Sequence, residues 1–186
     1  ALAVGPGLGR GAAAASQVRA LVGAPDRPPV VVDGDGLGAL ADDPEGALTR
    51  PGRARATSVV LTPHDGELAR LGADPSAPDR LAEVRALAST RGAVVLSKGS
   101  PTVVAHPDGR VLLATAGDAR LATAGTGDVL TGVVVALLAR GVAPFEAAAA
   151  AAHLHGRAGG LAWRRGLVAS DVAAHLPAAL ADLPED

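Results

Sequence analysis

The chain contains 186 residues with a net charge of −2, and 48% of them are hydrophobic, which predicts a folded protein with one sizeable core. Only Phe145 and Trp163 are aromatic, so a nucleic-acid module that stacks bases on aromatic side chains is disfavoured. The absence of cysteine excludes disulfides, thiolate zinc sites and cysteine nucleophiles.

The longest apolar run, from Val129 to Leu138, has the length of a buried helix rather than of a membrane span. There is also no charged-then-apolar leader. We therefore expect a cytoplasmic protein with neither a membrane nor a nucleic-acid partner. The sequence contains no methionine and opens on "ALAVGPGLG", the pattern of a strand already in progress, so we expect upstream sequence to precede it.

Short apolar runs alternate with helical patterns along the chain. The runs that predict strands are "ALAVG", "PVVVDGDG", "SVVLTPHDGE" and "AVVLSKGS". Helices are predicted across Ala12 to Val22, across residues 79–91, and from starts near Asp128, Pro144 and Ser170. The stretch "TVVAHPDGRVLLAT" predicts an antiparallel hairpin around a Pro-Asp-Gly turn.

Fully apolar strands separated by helices predict an α/β fold with a mostly parallel sheet covered on both faces. Because no linker or repeat divides the chain, we expect a single domain over residues 1–186. Ligands of such sheets bind at the carboxyl ends of the strands. The polar residues that follow each predicted strand are therefore the candidates for chemistry.

Two of these strand ends have both structural and functional interpretations. "GPGLGRG" (5–11) is either a tight strand-to-helix turn or a turn whose amides bind an anion; it is not the G-x-G-x-x-G fingerprint. Asp33 and Asp35 in "VVVDGDG" either hold magnesium or serve as turn residues, and turn chemistry is favoured.

The other two strand ends contain a histidine and a lysine. In "LTPHDGE", Asp65 is expected to cap a short helix and Glu67 to lie in its first turn, whereas His64 has no such structural role and favours a ligand contact. Lys98 is the only lysine of the chain, which favours a site that needs a compact ammonium over chance survival. His153 and His155 cannot share a metal ion from one helix face, so a structural or helix-end role is expected for them.

The segment "LATAGTGDVLTG" carries the strongest signal. Gly125 and Gly127 permit close approach to a ligand, and the unpaired amides at the start of a Val129–Arg140 helix favour an anion. Asp128 is then either a helix cap or a carboxylate that accepts a proton beside a phosphoryl group.

In their order, these motifs resemble the ADP/ATP-dependent NAD(P)H-hydrate dehydratases, a branch of the ribokinase-like superfamily. The matching stretches, from Gly5 to about Gly160, are "GPGLGRG", "VVDGDGL", "LTPHDGELARL", "VVLSKGSPTVVAHPDGRV", "LATAGTGDVLTGVVVALLARGVAPFEAA" and "HLHGRAG". The resemblance implies a ribokinase-like three-layer α/β/α fold, here incomplete at its N-terminus.

The resemblance also implies an activity: a lyase that repairs the S epimer of hydrated NADH or NADPH. ADP or ATP phosphorylates the C6 hydroxyl with the help of Mg²⁺, and elimination of phosphate restores the reduced ring; with ADP the other product is AMP.

Residue roles follow from the same resemblance. Asp128 is implied as the catalytic carboxylate, which also contacts the substrate. Gly7, Gly9 and His64 are implied to bind the hydrated cofactor. Asp33 is expected near Mg²⁺, but no residue is assigned as a metal ligand. The residues implied to bind the nucleotide are Lys98, Gly99, Ser100, Pro101, Thr102, Gly125, Thr126 and Gly127.

The chain departs from the family pattern at a few positions. Asp65 replaces the second proline of "LTPHPGE", Ala124 replaces the first glycine of "GGTGD", and "DGDG" replaces the commoner "DADA" or "DADG". The family also has a further N-terminal segment with substrate-facing loops. By resemblance, we expect a homo-oligomer, fused or coupled to an NAD(P)HX epimerase.

Two alternatives remain open. The first is a vitamin or small-alcohol kinase of the same superfamily, of the hydroxyethylthiazole type, in which Asp128 deprotonates a substrate hydroxyl and ATP is the donor. The second is a non-catalytic nucleotide-binding fragment.

Overall fold

The computed structural model describes residues 1–43, 46, 48 and 58–183. In these residues strands alternate with helices, as the apolar runs predict. The strands are β1 (Leu2–Val4), β2 (Val30–Val32), β3 (Val59–Leu61), β4 (Val94–Ser97), β5 (Thr102–Ala105) and β6 (Val111–Ala114). The helices are α1 (Ala12–Gly23), α2 (Asp35–Ala41), α3 (Asp65–Arg70), α4 (Arg80–Arg91), α5 (Thr126–Ala139), α6 (Pro144–Leu161) and α7 (Ala169–Ala181).

The strands form one sheet in the order β1-β2-β3-β4-β5-β6. Strands β1 to β4 are parallel, and β5 and β6 add as an antiparallel hairpin. The hairpin turns at Pro107-Asp108-Gly109, where the Gly109 amide donates to the His106 carbonyl at 2.9 Å. The mostly parallel sheet and the predicted hairpin are therefore both confirmed.

Both faces of the sheet are covered by helices, because successive side chains of each central strand point to opposite faces. Val30, Val32 and Leu61 pack with buried residues of α1 to α4, whereas Val31 and Val60 pack with α5 and α6. Every residue of β2, β3 and β4 is buried. The predicted three-layer α/β/α arrangement is confirmed, and α7 packs against α6 and α5.

Helix boundaries follow ordinary capping chemistry. Asp79 caps α4 by accepting a 2.9 Å hydrogen bond from the Ala82 amide, and Gly92 ends that helix in the left-handed conformation with φ of 62°. Pro144 occupies the first turn of α6, as predicted. Helix α5 begins at Thr126, two residues before the predicted start.

Strands β1 to β4 all end at the same edge of the sheet, because they are parallel. Gly5, Asp33, Thr62 and Lys98 directly follow these four strands. The turn between β4 and β5 lies at this edge too, whereas the Pro107-Asp108-Gly109 turn lies at the opposite edge. In the part of the chain that the structure describes, no helix is long and apolar enough to cross a membrane.

Candidate active site

Three polar side chains from distant parts of the chain meet at this edge of the sheet. The ammonium Nζ of Lys98 lies 2.9 Å from Oδ1 of Asp33, and the hydroxyl of Thr131 donates a 2.9 Å hydrogen bond to Oδ2. Oε2 of Glu67 lies 3.7 Å from the same ammonium. Asp33 is only 3% exposed, so its charge is balanced by these partners rather than by water.

This arrangement gives the Asp33 side chain a role beyond the favoured turn interpretation. The sequence left a magnesium ligand and a turn residue as its alternatives. The carboxylate is instead an ion-pair partner of Lys98, and both of its oxygens are occupied by protein donors. Its backbone does contribute to the turn, since the Gly36 amide donates to the Asp33 carbonyl at 3.0 Å.

The start of α5 presents free backbone donors. Gly125 precedes the helix in the left-handed conformation with φ of 84°, and the amide of Asp128 donates to its carbonyl at 3.1 Å. Among the described residues, no acceptor contacts the amides of Gly125 and Gly127. Two donors at the positive end of a helix dipole therefore remain available to an anion.

Asp128 does not cap this helix, because Gly125 takes the cap position and Asp128 lies in the first turn. Its carboxylate is exposed, and no described residue donates a hydrogen bond to it. The capping alternative for Asp128 is therefore wrong. Thr126 stabilises the turn through its hydroxyl, which lies 2.6 Å from the Leu121 carbonyl oxygen and 2.7 Å from that of Thr123.

A histidine from α6 supports the same turn. His155 is 7% exposed, and its Nε2 lies 2.9 Å from the Thr126 carbonyl oxygen, which can only accept, so the ring donates. Burial is the main cause that lowers the pKa of His155, although this hydrogen bond opposes it. His153 is exposed on the other side of α6. The expected structural role is confirmed for His155, which lies within the helix rather than at its end.

The "LTPHDGE" segment is held by a capping box. Nδ1 of His64 accepts hydrogen bonds from the amides of Gly66 at 3.0 Å and Glu67 at 3.3 Å, while the Glu67 carboxylate accepts from the His64 amide at 2.9 Å. The prediction that Asp65 caps this helix is wrong, because His64 is the cap residue. His64 therefore has a structural role that the sequence did not reveal.

Asp65 forms an ion pair instead. Its Oδ1 lies 2.7 Å from Nη1 of Arg80, the first residue of α4. Nη2 of Arg80 donates to the Ser97 hydroxyl at 2.8 Å and to the Lys98 carbonyl at 2.9 Å. The guanidinium thus joins the His64 turn to the turn that follows β4.

The glycine-rich loop after β1 is a tight turn packed against β2. The Leu8 amide donates to the Gly5 carbonyl at 3.0 Å, and a Cβ at Gly5 would clash with the Asp33 carbonyl oxygen. The Gly9 amide donates to the Asp35 carboxylate at 2.9 Å, which also pairs with Arg10 at 3.1 Å. These two hydrogen bonds, that to Arg10 first, lower the pKa of Asp35. The loop thus forms a tight turn, and ligand binding by it stays a prediction.

A cavity of about 560 Å³ opens beside these elements, within the usual range for a small-molecule site. Its polar lining residues include His64, Lys98, Thr126 and His155, and its apolar ones are alanines and two leucines. The residues that line it are His64, Asp65, Lys98, Gly99, Ser100, Thr102, Ala114, Ala116, Gly117, Asp118, Ala119, Leu121, Ala122, Thr123, Thr126, Gly127, Leu130, Ala152, His155 and Gly156.

Seven of the predicted site residues line this cavity: His64, Lys98, Gly99, Ser100, Thr102, Thr126 and Gly127. The other five, Gly7, Gly9, Pro101, Gly125 and Asp128, lie outside its wall. Gly125 and Asp128 flank lining residues directly along the chain, whereas Gly7 and Gly9 lie in the loop beside Asp33 and Asp35. The ligand contacts of all these residues remain predictions.

Several residues of the site were missed or misread in the sequence. Thr131 lies 98 positions from its partner Asp33, and His155 lies 29 positions from its partner Thr126. Neither carries a local motif that predicts this partner. Thr131 lies one helical turn beyond Gly127, so both residues lie on one face of α5. This spacing is the one sequence signal that could identify Thr131 as a site residue. The sequence predicts Arg80 only as part of the helix across residues 79–91.

The sequence of this chain matches those of known proteins. Residues 1–180 match the sequence profile of the NAD(P)H-hydrate dehydratase family. The chain belongs to this family. It is 44% identical over 187 residues to a bifunctional NAD(P)H-hydrate repair enzyme of Salinibacter ruber, covering 98% of this chain and 34% of the relative. It is also 44% identical over 158 residues to an ADP-dependent (S)-NAD(P)H-hydrate dehydratase of Neisseria meningitidis, covering 83% of this chain and 52% of the relative.

Solved structures agree with membership of the dehydratase family. The ADP/ATP-dependent NAD(P)H-hydrate dehydratase of Bacillus subtilis, co-crystallised with ATP and Mg²⁺, superposes with a TM-score of 0.81 at 32% identity, covering 96% of this chain and 63% of that chain. Hydroxyethylthiazole kinase of Pyrococcus horikoshii superposes with a TM-score of 0.57 at 18% identity, covering 94% of this chain and 68% of that chain, which shows a shared fold alone.

Proposed function

We propose that this chain catalyses the ADP-dependent dehydration of the S epimer of NAD(P)HX to NAD(P)H, with AMP and phosphate as the other products. The observation that carries the proposal is the proximity of the Lys98 ammonium to Gly127, at the start of α5 with its free amides, beside a cavity of about 560 Å³. Family membership supplies the reaction, and relatives that bear this activity in their names support it.

The nucleotide fits the cavity wall on chemical grounds. Apolar lining residues such as Ala114, Leu121 and Ala152 suit a base, and the Lys98 ammonium suits phosphates. Lys98 and the turn Gly99 to Thr102 would border the phosphates, while the amides of Gly125 and Gly127, with Thr126 between them, would stabilise the charge that develops on the transferred phosphoryl group.

Asp128 would act as the general base. Since no described residue donates a hydrogen bond to its exposed carboxylate, the oxygens are free to accept the proton of a substrate hydroxyl. The loop of Gly7 and Gly9, with His64 at the cavity rim, would contact the hydrated cofactor. Nδ1 of His64 accepts the capping hydrogen bonds, and its Nε2 lies 3.5 Å from Oε1 of Glu67, so the exposed face and edge of the ring would make that contact.

The proposed reaction balances in two steps. The C6 hydroxyl oxygen bonds to the β-phosphorus of ADP as the bond to the AMP oxygen breaks, and Asp128 takes the hydroxyl proton. The C6–O bond then breaks to release phosphate, and transfer of a proton from C5 to the departing phosphate forms the C5=C6 double bond. The protein's contribution is positioning and charge stabilisation at the first step.

Magnesium has no protein-built site in the described ranges 1–43 and 58–183, where no group of three acidic or histidine side chains converges. Both oxygens of Asp33 are also engaged by protein donors. Magnesium commonly binds through substrate phosphates and water with few protein ligands, so Mg²⁺ would enter with the nucleotide.

The wider setting of the activity is also a proposal. The Salinibacter ruber relative is a bifunctional repair enzyme of which this chain matches 34%, which supports coupling to a second activity, the epimerase that the family resemblance implies. A homo-oligomeric state and a cytoplasmic location remain predictions.

The test is to incubate the purified chain with NADHX and ADP and to follow the absorbance of the reduced nicotinamide ring. Recovery of absorbance with stoichiometric AMP is expected. No recovery with either ADP or ATP would contradict the proposal. Phosphorylation of hydroxyethylthiazole by ATP without NADHX repair would support the kinase alternative, and binding of ADP without either reaction would support a non-catalytic fragment.

A further inference from the structure

Asp33 connects the two sources of positive charge at the site. Its Oδ1 accepts from Lys98, which follows β4, and its Oδ2 accepts from Thr131 on α5, each at 2.9 Å. Asp33 and Thr131 are both 3% exposed, whereas the Lys98 side chain is 22% exposed and lines the cavity. One buried carboxylate thus fixes both an ammonium that faces the cavity and the helix that carries the free amides.

One face of helix α5 contacts this ion pair through Thr131. Thr131 lies one helical turn after Gly127, so both point to the same side. A Cβ added at Gly127 would lie 3.6 Å from Nζ of Lys98 and 3.9 Å from Oδ2 of Asp33. The Gly127 peptide is therefore close enough to the ammonium for its amide and the ammonium to act on one anion.

We propose that Asp33 is a positioning residue for phosphate binding: it holds the Lys98 ammonium and the α5 N-terminus in register, so that both bind the same phosphoryl group. This inference rests on the proposed function, because it takes a nucleoside diphosphate as the ligand. It gives Asp33 a role that is neither metal ligation nor contact with the substrate.

The charges around the ammonium support this role. Lys98 faces Asp33 at 2.9 Å and Glu67 at 3.7 Å, and Glu67 is itself oriented by the His64 amide. Two carboxylates on the protein side define the direction of the ammonium, and its remaining N–H group is left for a phosphate oxygen. Without the Asp33 charge, the flexible lysine stem has no strong partner on the α5 side.

The experiment measures the affinities of ADP and adenosine by calorimetry for the wild-type chain, Asp33→Asn and Thr131→Val. Adenosine lacks phosphates and reports only on the base and ribose. We expect Asp33→Asn to weaken ADP binding by about tenfold or more, since a charge-assisted hydrogen bond is lost, and to leave adenosine binding within about twofold. Thr131→Val keeps the side-chain shape, and a loss of about threefold for ADP alone is expected.

Asp108→Asn is the matched control, because it makes the same chemical change in the hairpin turn at the opposite edge of the sheet, where Asp108 pairs with Arg110 at 2.8 Å. Its affinities should equal those of the wild type. If Asp33→Asn does not fold, as circular dichroism would reveal, Thr131→Val decides the question.

Two outcomes would overturn the role of Asp33: unchanged ADP affinity in the folded variants, or equal losses for ADP and adenosine, which indicate general damage. A wild-type chain that binds no ADP would overturn it as well. A wild-type chain that binds ADP but leaves NADHX unconverted would contradict the proposed reaction only, and the affinities of the variants would still decide the role of Asp33.

Discussion

His155 of α6 donates a 2.9 Å hydrogen bond to the main-chain carbonyl of Thr126, the central residue of the Gly125-Thr126-Gly127 turn. Beside it, Gly156 allows the helix to approach the loop after β6, because a Cβ there would clash with the Ala116 carbonyl. Helix α6 therefore contacts two segments that line the cavity, at Ala116 and at Thr126. The geometry of the free amides depends on a side chain that contacts none of them.

Replacing His155 by leucine should destabilise the fold by about 0.5–1.5 kcal/mol, because its hydrogen bond to the Thr126 carbonyl is lost. His155→Gln can still donate and should lose less. Urea denaturation measures the free energy of unfolding. His153→Leu is the control on the exposed side of the same helix and should lie within about 0.5 kcal/mol of the wild type. Equal stability of His155→Leu and His153→Leu would show that the hydrogen bond contributes nothing.

The same histidine should make stability depend on pH. Burial lowers the pKa of His155 in the folded chain below its ordinary value of 6.5, so the unfolded chain binds the proton more readily. The contribution to stability is complete above that pH and decreases as the pH falls through about 6.5 toward the folded-state pKa. Urea denaturation of the wild type and His155→Gln at about pH 7.5 and pH 5.5 measures the difference. Equal losses of stability in the two proteins would contradict this role.

Gly127→Ala should separate activity from stability. The added methyl group makes only ordinary contacts with Lys98 and Asp33, at 3.6 and 3.9 Å, and Gly127 lies in the first turn of α5, so the fold should be retained. The methyl group intrudes where the phosphoryl group would approach, and turnover should fall at least about tenfold. Gly132→Ala, further along α5 with no atom within 4 Å of its Cβ, is the control with unchanged turnover. Wild-type turnover in Gly127→Ala would count against an anion site there.

Gly125→Ala should instead destabilise the fold. Gly125 has φ of 84°, and a Cβ there would lie 3.1 Å from Cβ of Ala169. An alanine in this conformation costs about 1 kcal/mol or more, and a lower melting temperature is expected. Gly132→Ala should raise stability by about 0.5–1 kcal/mol, because it replaces a glycine inside a helix. An unchanged melting temperature in Gly125→Ala would indicate that the turn adapts to a side chain.

Asp128→Asn should retain the fold but lower turnover at least about a hundredfold, because the amide cannot accept the hydroxyl proton. Since Asp128 does not cap α5, its melting temperature should stay close to that of the wild type. Steady-state assays with NADHX and ADP measure the turnover. An active Asp128→Asn variant would exclude this residue as the base.

The differences between expectation and structure concern which polar groups pair. In "LTPHDGE" both His64 and Asp65 are capable of capping a helix, and local pattern alone favoured the aspartate. The structure places Arg80 of α4 beside Asp65 at 2.7 Å and leaves the cap position to His64. The cap residue of α3 is therefore decided by Arg80, a cation fifteen positions beyond Asp65 in sequence.

The sequence by itself determined the strands, most of the helices, the hairpin and the mostly parallel sheet. Alternating apolar runs indicate which segments are buried, while glycine and proline indicate the local backbone conformation. Its motifs also determined the family. Only the tertiary structure decided that Asp33 pairs with Lys98 and Thr131, and that His155 supports Thr126. These pairs are 29 to 98 positions apart in sequence, and they meet because parallel strands end at one edge of the sheet and α5 and α6 pack across its face.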